Sequence, residues 1–225
     1  MISDRATESR VAHSGSAPPA ARPWRTHARL ARLHLVNRRA PAAGAVIATC
    51  AAGLRIALIW RWDAYGALQL PLVCEALAGA AIAACAASPF GEPERVAGRK
   101  LPVLRLASTL LLVAVAVAAL AAAGSGARLS GGTLDVLRNV TGIAGLGLLC
   151  GALLGAGLAW AGPTAFLVAG VYALYTQWHG PAVTTPWIWP ARPQDDVGAA
   201  LCAGFVFLSG LAVVMARGAR DPSAE

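Results

Sequence analysis

Charged residues are scarce in this chain of 225 residues, because Asp, Glu, Lys and Arg together make up only 13% of it. A soluble domain carries about a quarter charged residues. A soluble chain of this size could not easily bury the 57% of its residues that are hydrophobic. The composition therefore excludes an ordinary soluble domain and predicts an all-α, polytopic membrane protein.

Lysine is almost absent, since Lys100 is the only lysine and every other basic residue apart from histidine is arginine. Ala, Gly, Leu and Val dominate the rest of the chain. This composition is typical of a GC-rich coding sequence, so we expect a bacterial protein located in the cytoplasmic membrane.

Catalytic and nucleotide-binding motifs are also missing. The chain has no HExxH and no GxSxG, and Lys100 lacks the glycine-rich context of a phosphate-binding lysine. We therefore expect no enzyme and no cofactor bound by this chain. If ATP drives the protein, a partner chain binds it. The cysteines lie in apolar runs without CxxC or Cys/His clusters, which predicts packing residues rather than disulfides or a metal site. They are Cys50, Cys74, Cys85, Cys150 and Cys202.

Six apolar segments are present, and a spanning helix needs about 20 residues. The predicted spans are residues 41–60, 66–87, 102–124, 138–160, 162–177 and 197–216. The fifth is short, and only Ala161, Gly162 and Pro163 separate it from the fourth. The alternative is a re-entrant pair over 138–177, which would leave four or five spans.

The distribution of Lys and Arg predicts the orientation. With six spans and both termini cytoplasmic, fourteen of the 19 basic residues lie on the inner side. Four would lie outside: Arg61, Arg128, Arg138 and Arg192. We therefore expect a cytoplasmic loop at 88–101, an outer loop at 178–196 and a cytoplasmic tail at 217–225.

The N-terminal 40 residues divide into two parts. Residues 1–21 are polar or small and are expected to form a disordered cytoplasmic tail. Residues 22–40 place four arginines on one arc of a helix, which suits a basic amphipathic helix lying in the membrane interface. The alternative is a positive flank that only fixes the topology of the 41–216 transmembrane domain.

The segment SPFGEPERVAGRK, residues 88–100, is a compact charged loop between two apolar spans. Its prolines and acids suit the start of a short helix, and its bases follow toward the other end. We expect this helix to dock a soluble partner through Glu92, Glu94, Arg95 and Arg99. The alternative is a solvated loop whose bases follow the positive-inside rule.

Arg55 and Glu75 are the only charges well inside the predicted spans. Such charges cost about 2.5–3.5 kcal/mol each, so they usually pair or face a cavity. We expect an intramembrane ion pair between them. The alternatives are a substrate or proton-relay role, or an Arg55 side chain that reaches the outer headgroups alone.

Glycines and tryptophans mark two further features. Gly147, Gly151 and Gly155 have the spacing that lets another helix approach closely, so we expect helix packing there, within the chain or in a dimer. The outer segment 178–196 contains four prolines and three tryptophans. It is expected to be a short re-entrant or interfacial element, with Trp178, Trp187 and Trp189 in the aromatic belt.

This order of elements resembles the membrane subunit of type-2 ABC transporter permeases over about residues 22–217. The segments GEPERVAGRKLPVLRLA and LRNVTGIAGLGLL also resemble parts of actinobacterial ABC transporter permeases. The resemblance implies a coupling helix at about Pro89–Lys100, outer re-entrant helices within 178–196, and ATP with Mg²⁺ on a separate ATPase subunit. It also implies a homodimer or heterodimer of permease subunits. Unlike larger members, this chain lacks a big extracellular domain.

Two other classes of function remain open. One is a non-transporting membrane scaffold or accessory subunit, whose 88–100 loop would dock another soluble partner. The other is a small ion-coupled transporter that uses Arg55 and Glu75. A membrane enzyme is disfavoured because no acid/base or metal set is visible, and nothing predicts binding of nucleic acid.

Overall fold

The computed structural model describes residues 39–60, 64–86, 100–125, 132–176, 180–181 and 184–217. Within these ranges all regular structure is helical, with no strand. The six α-helices are α1 Ala40–Ile59, α2 Ala64–Ala86, α3 Lys100–Gly124, α4 Gly132–Leu153, α5 Ala161–Tyr175 and α6 Val197–Arg217. Two short 3₁₀ turns, Ala156–Leu158 and Trp189–Ala191, precede α5 and α6 respectively.

In the described part of the chain, six helical segments are long and apolar enough to cross a membrane. Lipid offers no hydrogen bonds to the backbone, so apolar runs of this length satisfy their N–H and C=O groups as helices. The predicted all-α fold with six spanning helices is confirmed. The fifth is irregular: α5 has 15 residues, or roughly 22 Å, and reaches 20 residues only with the preceding turn at Ala156–Tyr175.

The helices alternate in direction, so the bundle has two ends. At the Trp189 end, α1, α3 and α5 finish and α2, α4 and α6 begin. At the Lys100 end, α3 begins and α4 finishes. Large apolar side chains such as Leu111, Val168 and Phe205 are exposed on the outer faces, where a bilayer would cover them.

Helix α4 is the centre of the bundle and packs most extensively against α6 and α2. In the most apolar stretch of α4, 67% of the residues are buried inside the bundle, whereas in that of α1 only 22% are buried. Contacts with α2 follow a constant register, since Gly79 meets Ile143 and Ala83 meets Gly147. We call this line of contacts the α2–α4 seam.

Helices α4 and α6 approach each other so closely that two positions of their contact require glycine. A Cβ atom at Gly145 would lie 2.5 Å from the Phe207 Cα atom, and one at Gly210 would lie 2.6 Å from the Gly145 carbonyl oxygen. Small residues at such positions let the helix backbones touch. These two glycines were not singled out from the sequence.

Two of the three glycines expected to serve helix packing lie at close contacts within the chain. Gly147 packs against Ala83 and Pro163, and Gly151 packs against Ala159, so both serve packing within the chain. Gly155 is not on the α4 face, because α4 ends at Leu153. Its φ of 105° lies in the left-handed region that glycine tolerates best, and it turns the chain toward α5.

Several predicted features lie outside the described residues. They are the tail at 1–21, the 22–40 helix except for its last two residues, the loop at 88–101 except for its last two residues, Trp178 and all of the final tail except Arg217. The cytoplasmic location of both termini stays a prediction, as does the docking role of Glu92, Glu94, Arg95 and Arg99.

Candidate functional site

The most buried polar contact in the described residues joins α2 to α4. The side-chain amide of Asn139 donates a hydrogen bond of 2.9 Å to a carboxyl oxygen of Glu75. Glu75 is 3% exposed and Asn139 is 5% exposed. The pair continues the α2–α4 seam, one turn closer to the Trp189 end than the Gly79–Ile143 contact.

A second polar group lies beside it at the start of α4. The Arg138 guanidinium forms an ion pair with Asp135, one turn earlier in the same helix. It also donates to the backbone carbonyls of Pro193, at 2.7 Å, and Arg192, at 3.1 Å. Arg138 is 5% exposed, so its charge is balanced by Asp135 and by oriented carbonyl dipoles rather than by water. It thereby fastens the chain before α6 to α4.

Residues 184–196 form a segment that inserts the buried Trp189 side chain into the bundle, and we call it the re-entrant segment. Trp189 is 1% exposed, and its ring stacks on Phe166 of α5 at a centroid distance of 4.2 Å. The same ring lies against Gly142, ten residues and about 15 Å from the start of α4. The Trp189 ring therefore lies about halfway along α4.

Glycine at position 142 makes this insertion possible. A Cβ atom there would lie 2.7 Å from the indole of Trp189 and 3.0 Å from the Ala203 Cβ atom. A larger side chain would compete with the indole for the space between α4, α5 and α6. The predicted place of Trp189 in an interfacial belt is therefore wrong, because the tryptophan packs inside the bundle. Trp187 is 49% exposed, which an interfacial position would allow.

Arg192 adds hydrogen bonds within the re-entrant segment and to the chain just before it. The Arg192 guanidinium donates to the Gly180 carbonyl at 2.7 Å and to the hydroxyl of Thr185. With Arg138 bonded to the carbonyls of residues 192 and 193, two arginines satisfy much of the irregular backbone here. Such backbone is tolerated at membrane depth only where protein covers it.

Three buried polar atoms near this site have no hydrogen-bond partner: Asn139 Oδ1, Arg138 Nε and Trp189 Nε1. An unmet buried donor or acceptor costs about 1–3 kcal/mol. Asn139 Oδ1 belongs to the amide that already bonds Glu75, so the pair holds an unused acceptor beside a carboxyl group. The site can therefore accept a further hydrogen.

Arg55 does not pair with Glu75, so that expectation is wrong. Its guanidinium donates to the backbone carbonyls of Ala123, at 3.4 Å, and Ser125, at 2.5 Å. These carbonyls lie at the C-terminal end of α3, where the last acceptors lack partners and carry partial negative charge. Arg55 is exposed and lies near the Trp189 end, so α3 offers acceptors at its own depth while Glu75 lies deeper.

The cysteines behave as packing residues at the α1–α2 contact. Cys50 and Cys74 are both buried, and the Cys74 thiol lies 3.6 Å from the Cys50 carbonyl oxygen. This contact carries no charge. In the described part of the chain no group of three or more His, Cys, Asp or Glu residues converges as metal ligands would.

Asn139, Asp135 and the insertion of Trp189 were missed from the sequence. The fourth span was predicted to begin at residue 138, whereas α4 begins at Gly132. The earlier start places Asp135 in the helix and moves Arg138 and Asn139 from its first two positions into its interior. The available signal was their spacing, since an acid, a base three residues later and an adjacent amide lie on neighbouring helical faces.

The fold and this site define a class: a multi-pass membrane protein of six spanning helices with a buried polar seam and a re-entrant segment before the last helix. Comparison with known proteins does not narrow the class, because no family model, no curated protein and no solved structure matches the chain.

Proposed function

We propose that this chain is the membrane-spanning permease subunit of an ABC-type exporter in a bacterial cytoplasmic membrane. A separate ATPase subunit would bind ATP and Mg²⁺ and dock on the loop at 88–101. Both termini would be cytoplasmic, so the Trp189 end of the bundle would face outward.

One observation carries the proposal. Between α5 and α6 the chain inserts the Trp189 ring into the bundle, stacked on Phe166 and lying against Gly142 at about half the length of α4. The permeases that the sequence resembles have short re-entrant helices in this position. An accessory protein that only anchors a partner has no need of a segment inserted among α4, α5 and α6.

The connection between docking and movement would run through α3. The proposed docking residues Glu92, Glu94, Arg95 and Arg99 precede Lys100, where α3 begins. Displacement of this loop by an ATPase would therefore act directly on α3. At its far end α3 is joined to α1, since Arg55 binds the carbonyl of Ser125. A push at the Lys100 end would in this way reach the Trp189 end.

The proposal also includes a second permease subunit, identical or related. ATPase subunits of this class work as dimers, so one six-helix chain would supply half of the membrane part. The transported substrate would move along a path between or beside the two bundles.

The test is purification of the tagged chain from its native membranes in mild detergent. We expect an ATPase subunit to be recovered in stoichiometric amount with the unmodified chain. The double substitution Glu92→Arg, Glu94→Arg should abolish that recovery, because charge complementarity sets the register of polar interfaces. Asp195→Arg is the matched control, because Asp195 is exposed at the Trp189 end and its reversal should leave the complex intact.

Absence of an ATPase from every sample would contradict the proposal. If the ATPase is also recovered with the double variant, only the docking role of 88–101 is contradicted, and the permease proposal is not. A non-ATPase protein bound through this loop would instead favour the scaffold.

A second candidate is a small ion-coupled transporter, favoured by the burial of Glu75 in α2. Because Arg55 has other partners, this candidate now depends on Glu75 together with Asn139. Flux that requires a proton gradient, and that Glu75→Gln abolishes, would favour it over the ATP-driven exporter.

A further inference from the structure

The hydrogen bond between Asn139 and Glu75 leaves one acceptor of the pair, Asn139 Oδ1, without a donor. The Asn139 amide donates to Glu75 Oε2, while Asn139 Oδ1 is buried without a donor. A carboxylate offers acceptors only, so it cannot satisfy this oxygen. A carboxylic acid has one O–H donor and can bond the amide twice, accepting from its nitrogen and donating to its oxygen.

The charges around Glu75 leave its carboxyl group without a cation of its own. From α4, Asp135 and Arg138 are close enough to act on it. The Arg138 guanidinium, however, is bonded to Asp135 and to two backbone carbonyls. From α1, Cys50 contacts Cys74, the residue that precedes Glu75.

The other helices packed on α2 add no charge near the pair among the described side chains. The titratable side chains of α5 are Tyr172 and Tyr175, which are 61% and 70% exposed. On α3 the basic side chain described is Arg105, which lies near the Lys100 end. A carboxylate at position 75 would therefore be an unpaired charge among apolar helices, which is costly.

We propose that Glu75 and Asn139 form a proton-binding site in the α2–α4 seam, and that the structure represents its proton-loaded, closed form. The proton resides on the Glu75 carboxyl group and bonds Asn139 Oδ1. A metal cation fits poorly, because hard cations take about six or more oxygen ligands and the pair offers its two side chains only. A proton needs one oxygen and one acceptor.

Loss of the proton would act on the seam directly. The next contacts along it are Gly79 with Ile143 and Ala83 with Gly147, where the helices touch closely. A Glu75 carboxylate and Asn139 Oδ1 are both hydrogen-bond acceptors, so no hydrogen bond would hold them together. Separation of α2 from α4 would let water hydrate the carboxylate. The site thus couples proton occupancy to the packing of the central helix, whatever drives transport.

The test is infrared difference spectroscopy on the purified full-length protein at neutral pH, comparing the unmodified chain with Glu75→Gln. The expected result is a C=O stretching band of a protonated carboxyl group that is present in the unmodified chain and lost in the variant. The band should also disappear reversibly as the pH is raised. Absence of any such difference at neutral pH would overturn the proposal.

Further variants test whether loss of the band reflects loss of the proton site or only loss of folding. In Glu75→Gln the amide can donate to Asn139 Oδ1 and accept from its nitrogen, so the melting temperature should match that of the unmodified chain. Glu75→Leu should melt at a lower temperature, because both polar groups of Asn139 lose their partner. The exchange Glu75→Gln, Asn139→Asp keeps one acid and one amide, and it should restore the band. A band missing from the stably folded exchange variant would contradict the two-bond pair.

Discussion

The close contact between α4 and α6 predicts that one methyl group will separate these helices. In Gly145→Ala the added Cβ atom would lie 2.5 Å from the Phe207 Cα atom, 2.6 Å from its nitrogen and 2.8 Å from the Val206 carbonyl carbon. All three are backbone atoms, so no side-chain rotation relieves the contact. Carbon atoms pack best at about 3.5–4.0 Å, so α6 must move by roughly 1 Å.

The expected cost follows from known core substitutions. Overpacking by an extra methyl or methylene group costs about 1–3 kcal/mol, and exchanging glycine for alanine in a helix gains up to about 1 kcal/mol. Gly204→Ala in α6 is the matched control, because no atom of another helix lies within 4 Å of its added Cβ among the described residues. The control carries the same gain in helix propensity, so the difference between the variants isolates the overpacking.

Thermal unfolding in one detergent measures this difference. A thiol-reactive fluorophore is a suitable probe, because Cys50, Cys74 and Cys85 are buried until the bundle opens. At roughly 2–4 °C per kcal/mol for a protein of this size, Gly145→Ala should melt roughly 2–12 °C below Gly204→Ala. Equal melting temperatures would refute the described packing of α4 on α6.

Three further substitutions test the site. Arg138→Leu leaves the half-buried Asp135 without its partner and should lower the free energy of unfolding by about 3 kcal/mol, the low end for breaking a buried ion pair, measured by the same thiol assay. A loss no larger than that of Arg55→Gln would contradict the role of Arg138 in fastening the chain before α6 to α4. Gly142→Val should expel the Trp189 indole and shift tryptophan emission to longer wavelength, and an unchanged spectrum would contradict the insertion. Arg55→Gln should change stability by only about 0–1 kcal/mol because Arg55 is exposed, and a large loss would indicate a buried role.

The sequence was sufficient for the number and type of the apolar helices in the described residues, because burial in lipid leaves a long apolar run few alternatives to a helix. The segments predicted at 102–124 and 197–216 match α3 and α6 within two residues at each end. Span four was predicted less well, since Asp135 and Arg138 lower its hydropathy and hide the true helix start at Gly132.

The side-chain pairings could not be predicted from the sequence, because they depend on which helices are neighbours. Arg55 and Glu75 were matched by depth alone, yet α1 presents Arg55 to the end of α3 and α2 presents Glu75 to α4. Trp189 was placed at the interface by residue type. Its burial depends on Gly142 and Phe166, which are 47 and 23 residues away along the chain.

The most direct test of the proposed function is the mass of the intact complex released from native membranes, measured by native mass spectrometry. The proposal predicts a mass that accounts for two permease subunits, at least one of them this chain, together with two ATPase subunits. A mass equal to this chain alone, or to copies of it without any ATPase, would contradict the permease function.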